Sequence, residues 1–363
     1  MSLPPAQRAL YLDWMRGIAI LAMMEIHAFA AWIAPEHRHG PVWVAARAIG
    51  SQAATAFLFL VGVSLALGLR AARDERDLAA FRVKTLKRGV GLLLAAHLFR
   101  VQELLLSGGQ WSDVLRVDIL NAIALSLALL AVVGASGARG AVRAAAAALL
   151  VVALTPLVAR LPQPATPLYD YLYDGRQLVF PAFPFAAYAL SGFAVGYLWA
   201  RDTRAVWLWT AAVGVGLVVG CVVVQAYPAH YLALGAEHRI DPRYFGGHLG
   251  ILLCLGAACR GLQPFANPAR FGPVRQLGRT SLLAYWIHVN LCYGPLAWEK
   301  GLDLLNRASI PRALAWLAAL VVLVLCCSVV RTRTLAHVRL NELFWKAIGL
   351  PLPARSTPRT ARA

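Results

Sequence analysis

Apolar runs of about 20 residues recur along nearly the whole chain, separated by short polar stretches, and each is long enough to cross a bilayer as an α-helix. Ten runs stand out, near residues 10–33, 43–69, 86–106, 117–134, 141–158, 178–199, 205–226, 244–261, 279–298 and 311–331. The fourth and fifth are short and have the least sharply marked ends. Residues 335–350 follow with an amphipathic pattern, which predicts a helix on the membrane surface or an eleventh, half-inserted segment. No heptads, low-complexity tract or separate soluble domain interrupts the series. The expected architecture is an all-α polytopic membrane domain over residues 1–350, with a basic, disordered tail over 351–363.

Composition agrees with this pattern. Of 363 residues, 60% are hydrophobic and 14% charged, against roughly 25% charged in soluble domains. The formal net charge of +18 would suggest nucleic acid in a soluble protein. Here the basic residues sit between apolar runs, so they read as orientation signals and no nucleic-acid partner is expected. With the N-terminus inside, 23 of the 35 Lys and Arg fall on cytoplasmic segments and ten on the opposite side. That bias places both termini in the cytoplasm of an inner-membrane protein, with membrane lipid as its surroundings. The Ala28–Ala30 triplet resembles a signal-peptidase box. The uncharged run before it, Gly17 to Met24, lies between Arg16 and Glu25 and makes a poor signal core, so the first span is expected to be retained. All six cysteines fall in apolar runs without zinc or redox spacing, so neither a metal site nor structural disulfides are expected.

The first span carries the most chemistry. Arg16 and His27 are eleven residues apart, about 1100° of helix, so they share a face with a separation of ~16 Å. Ionisable groups within a span are costly and mark a site or a pathway. Asp13, three residues before Arg16, is placed to neutralise it. Glu25 points to nearly the opposite face from His27. Further polar groups stud later spans: His97, Arg100 and Glu103 at spacings of three, Asp118 with Asn121, His248, and His288 with Tyr285 one turn away. Together they predict a polar cavity opening outward. The loop 70–88 holds seven basic residues, ending in Lys87 and Arg88. It reads either as a topology signal touching anionic lipid or as a docking surface for a phosphorylated donor. The outer stretch 159–177 bears Tyr169, Tyr171 and Tyr173, suited to stacking on a sugar or to anchoring at the interface. Walker, GxGxxG and HExxH motifs do not occur.

Several motifs carry a family resemblance. Asp13-x-x-Arg16-Gly17 running to His27, Ala56-Phe-Leu-Phe-Leu-Val-Gly62-Val-Ser64, Val117-Asp-Ile-Leu-Asn121, and Gly278-Arg-Thr-Ser281-Leu-Leu-Ala-Tyr285-Trp-Ile-His288 occur in that order. The chain resembles bacterial membrane acyltransferases of the heparan-α-glucosaminide N-acetyltransferase catalytic-domain type, and shares the Arg-to-His spacing of acyltransferase-3 proteins. The likeness covers about residues 8–300. The lysosomal member carries asparagine where His27 stands and is thought to use a histidine in the following loop. Here that loop offers His37 and His39. Ala122 replaces the arginine of the family's Gln-Arg pair, and Ala53 or Ala54 occupies the place of its "DLVFP" segment.

The resemblance implies transfer of an acyl group, usually acetyl, from cytoplasmic acyl-CoA to an amine or hydroxyl on the far side. His27 or His39 would be the base or a transient acyl carrier, with His288 as a further catalytic residue. Arg16, Lys87 and Arg88 would hold the donor, acetyl-CoA, with no metal. Asp118, Asn121 and His97 would bind the acceptor, a glycan or amino sugar. A homodimer is left open. The competing reading is a proton-coupled transporter using the same buried ionisable groups. Transporters often carry internal repeats, and none is evident between residues 1–160 and 178–340.

Overall fold

A computed structural model describes residues 10–69, 75–107, 110–134, 137–162, 167–173, 180–226, 241–265, 272–297 and 302–334. The surface segment expected at 335–350, the tail 351–363, and His230 and His238 lie outside them, as does part of the tyrosine-rich stretch.

Thirteen α-helices are described: α1 Leu10–Trp32, α2 Gly40–Gly50, α3 Gln52–Leu69, α4 Glu75–Ser107, α5 Ile119–Val133, α6 Gly137–Val158, α7 Pro167–Leu172, α8 Ala182–Trp199, α9 Arg204–Ala226, α10 Pro242–Leu262, α11 Gly272–Arg279, α12 Ser281–Tyr293 and α13 Ile310–Arg333. Nine segments among the described residues are long and apolar enough to span a membrane. The protein is an all-helical, multi-pass membrane protein. The run expected at 279–298 differs. It is divided at Thr280 into α11 and α12, and α12 has only 13 residues. Thr280 takes a non-helical conformation, and its hydroxyl contacts Ser328 of α13, so a side-chain contact stands where an unbroken span was expected.

α1 lies at the centre, touching α2, α3, α10, α11, α12 and α13. Its crossing with α11 depends on two glycines. A Cβ on Gly17 would stand 2.0 Å from the Val274 carbonyl oxygen, and one on Gly278 would stand 1.9 Å from that of Asp13. Both distances are impossible for a real side chain, so only glycine lets these backbones meet. Close approach through small residues is how helices associate in lipid, where no hydrophobic force drives them together.

The other end of α1 is tied down by hydrogen bonds. Its last carbonyls have no partner inside the helix and must find one where water is scarce. Asn306 N donates to Ala31 O at 2.9 Å and Ala308 N to Trp32 O at 2.8 Å. The Arg38 guanidinium donates to Ala30 O at 3.1 Å and Ile33 O at 3.0 Å, and also binds the Asn306 side chain. Trp32 Nε1 reaches Cys292 O of α12 at 3.2 Å. The two helices are therefore fixed one turn beyond His27 and His288.

Candidate active site

His27 and His288 meet. His27 Nδ1 lies 3.0 Å from His288 Nε2, and the rings stack with centroids 5.2 Å apart and planes inclined by 22°. His288 is fully buried, and its Nδ1 is 2.6 Å from the carbonyl oxygen of Ala284. A carbonyl can only accept, so His288 carries its proton on Nδ1. Its neutral Nε2 then has a lone pair and accepts from His27 Nδ1–H. The remaining nitrogen, His27 Nε2, is left unprotonated. The helix geometry thus selects which nitrogen of His27 can act as a base.

At the opposite end of α1, Arg16 donates to Asp13 Oδ1 at 3.1 Å and to Ser64 Oγ at 2.6 Å. The Ser64 hydroxyl donates its own hydrogen bond to Leu60 O at 2.5 Å. Asp13 therefore pairs with Arg16 as the spacing implies, while Ser64 is a partner from α3 that spacing alone could not supply. From this end a cavity of about 990 Å³ runs between α4 and α12–α13, backed by α1, α3 and α5. Arg16, Arg88 and Arg331 bring guanidinium groups to it, and Met23, Tyr285 and Trp286 line it within a turn of the two histidines. Cys326 and Cys327 also border it. Lys87 is exposed and does not line this cavity.

Tyr285 links the histidines to a second polar group. Its ring meets that of His288 edge-on at 5.9 Å, and its hydroxyl donates to Asp118 Oδ2 at 3.3 Å. Asp118 Oδ2 also receives Arg100 at 3.4 Å, and Arg100 binds Glu103 at 2.6 Å. The other oxygen of Asp118 caps α5, accepting from Leu120 N at 2.8 Å and Asn121 N at 3.2 Å. Asn121 Oδ1 accepts in return from Asp118 N at 3.1 Å, so the pair forms a reciprocal cap. Asn121 Nδ2 donates to the Tyr171 hydroxyl at 2.8 Å. Burial raises the Tyr171 phenol above its ordinary value, which keeps it neutral to receive that bond. Both oxygens of Asp118 are thus engaged within the protein, which makes it a hub that orients Tyr285 and Arg100.

The remaining expected site residues lie apart from this arrangement. His97 turns back to bond Leu93 O of its own helix at 2.8 Å. His39 stands exposed at the N-cap of α2 and makes no capping bond. His248 stacks on Tyr244 at 3.9 Å and reaches Ser51 Oγ at 3.2 Å. Ser64, Arg331, Tyr285 and Gln102 are site residues that the sequence reading did not assign. Arg331 closes a span with a basic residue, a signal indistinguishable from a topology marker. Among the described residues, no three His, Cys, Asp or Glu side chains are grouped to hold a metal.

The paired histidines and the guanidinium-lined cavity within a spanning helical bundle are of the kind that group-transfer chemistry can use. The sequence model of the heparan-alpha-glucosaminide N-acetyltransferase catalytic domain matches residues 8–232, well over half of the chain. The chain belongs to this family of membrane acetyltransferases. No curated protein matches it.

Proposed function

We propose that the protein transfers an acetyl group from cytoplasmic acetyl-CoA to an amine or hydroxyl of a sugar or glycan on the outer side of the inner membrane. The observation that carries this reading is the His27–His288 pair, with His27 Nε2 left as the base, together with a cavity that runs from Arg16 at the other end of α1 to within a turn of the pair. Arg16, Arg88 and Arg331 suit the phosphates of the donor, because guanidinium groups bind phosphate oxygens in bidentate fashion. The ~16 Å between Arg16 and His27 along the helix suits an extended pantetheine arm lying along apolar walls. Basic-residue bias puts the arginines toward the cytoplasm and His27 toward the outside.

In the reaction, His27 Nε2 takes the proton of the acceptor as its nitrogen or oxygen attacks the thioester carbon. The carbon–sulfur bond then breaks, and the CoA thiolate recovers that proton. As His27 becomes charged, its Nδ1–H bond to His288 strengthens, and Ala284 holds His288 in the receiving tautomer. Asp118 and Asn121 act through Tyr285 and Tyr171 to shape the acceptor side. The test is incubation of the purified protein with radiolabelled acetyl-CoA and a panel of amino sugars and glycans. Label should move to an acceptor in the wild type and not in His27→Ala. Full transfer by His27→Ala would overturn the assignment of the base.

A further inference from the structure

The cavity reaches the outside of the bundle through its side. Three of its aliphatic lining residues are themselves exposed: Leu98 of α4 by 53%, Leu282 of α12 by 41% and Val330 of α13 by 59%. Leu98 lies well inside a segment long and apolar enough to span the membrane, at a depth where the surroundings are hydrocarbon.

The end nearest the histidines is bridged. There α4 and α12 are joined by Gln102, whose amide donates to Asn290 Oδ1 at 3.0 Å and accepts from Trp286 Nε1 at 2.8 Å. Asn290 Nδ2 in turn donates to Trp286 O at 2.7 Å, and Phe99 packs edge-on against the Trp286 ring at 5.0 Å. Both functional groups of the Gln102 amide are used, so this clasp is fully bonded among the described residues. An acetyl group needs no exit from such a cavity. A longer acyl chain attached near Tyr285 meets the clasp ahead and the guanidinium groups behind, and the sideways gap is its apolar outlet.

We infer that the donor site takes acyl-CoA with chains longer than acetyl, the chain leaving between α4 and α12–α13 past Leu98 and Leu282 into the bilayer. This rests on the cavity being the donor site. The chemistry is unchanged by chain length. The acyl carbon leaves sulfur for the acceptor nitrogen or oxygen, and the acceptor's proton ends on the CoA thiol. Burial of each added methylene strengthens binding, and the guanidinium groups hold the head in the same place.

Equilibrium binding of acetyl-CoA and octanoyl-CoA to the full chain in lipid nanodiscs tests this, with empty nanodiscs subtracted for partition into lipid. Octanoyl-CoA should bind at least about tenfold more tightly than acetyl-CoA to the wild type. Leu282→Trp and Leu98→Trp should each bring that ratio below about threefold, with Val330→Trp as a closing variant on a third helix should either fail to fold. A wild-type ratio within threefold would overturn the inference, as would an unchanged ratio in all the folded tryptophan variants. Failure of acetyl-CoA itself to bind the wild type would overturn the donor-site assignment, and this inference with it.

Discussion

The Nδ1 proton of His288, fixed by the Ala284 carbonyl, determines which face of His27 can meet an acceptor. In the proposed reaction His288 would do for His27 what a carboxylate does in a hydrolase triad, setting tautomer and ring plane, but without a negative charge. Removing the base should cost more than removing its orienter. His27→Ala should lower acetyl transfer by about 10²–10⁴-fold, the usual worth of a positioned general base. His288→Ala should fall less far, with most of the loss in kcat and little in the KM for acetyl-CoA. His39→Ala should retain wild-type rates, since His39 is exposed at the start of α2. Steady-state kinetics on the three variants check these outcomes. His27 was legible in the sequence because an imidazole within an apolar run has few structural reasons to be there. Its partner was named too, but their contact bridges 261 positions of chain, and no local spacing encodes such a pairing. A separation of 48 positions likewise hid Ser64 as the partner of Arg16. His97 bonds Leu93 O of its own helix through Nδ1, a contact that spacing of three along a helix does not point to.

The elements bring these side chains together through close approach at one end of α1 and hydrogen bonds at the other. Gly17 and Gly278, which belong to two of the motifs that carried the family resemblance, are the residues that let α1 and α11 touch. A Gly278→Leu change must push α1 away from α11, at a cost of about 3 kcal/mol or more. Thermal unfolding in detergent should show a clear drop in Tm, and activity should fall with it. Arg38 holds two of the carbonyls at the end of α1. Arg38→Ala should leave the protein folded but loosen the His27 end, lowering kcat several-fold without changing acetyl-CoA binding. Most spans were readable from hydropathy alone, because lipid demands uninterrupted apolar helix. The break at Thr280 was not readable, because the Ser328 contact that accompanies it lies on another helix.

Across the whole molecule, Arg16, Arg88 and Arg331 converge on one cavity from three different helices. Neutralising them should weaken the hold on the donor without touching the base. Arg16→Gln, Arg88→Gln and Arg331→Gln should each raise the KM for acetyl-CoA several-fold, with the largest change at low ionic strength, where charge attraction is least screened. Lys87→Gln should leave that KM unchanged, since Lys87 does not line the cavity. The positive bias of the sequence had already marked this side of the protein, but it could not separate arginines that orient the chain from those that line a cavity. In the proposed mechanism His27 accepts the proton during acetyl transfer. Its most direct test is transfer of radiolabelled acetyl from acetyl-CoA to amino sugars by purified wild-type protein and by His27→Ala of equal thermal stability. The account predicts labelled product from the wild type and at least about a hundredfold less from the variant. Equal labelling by the two proteins would contradict it.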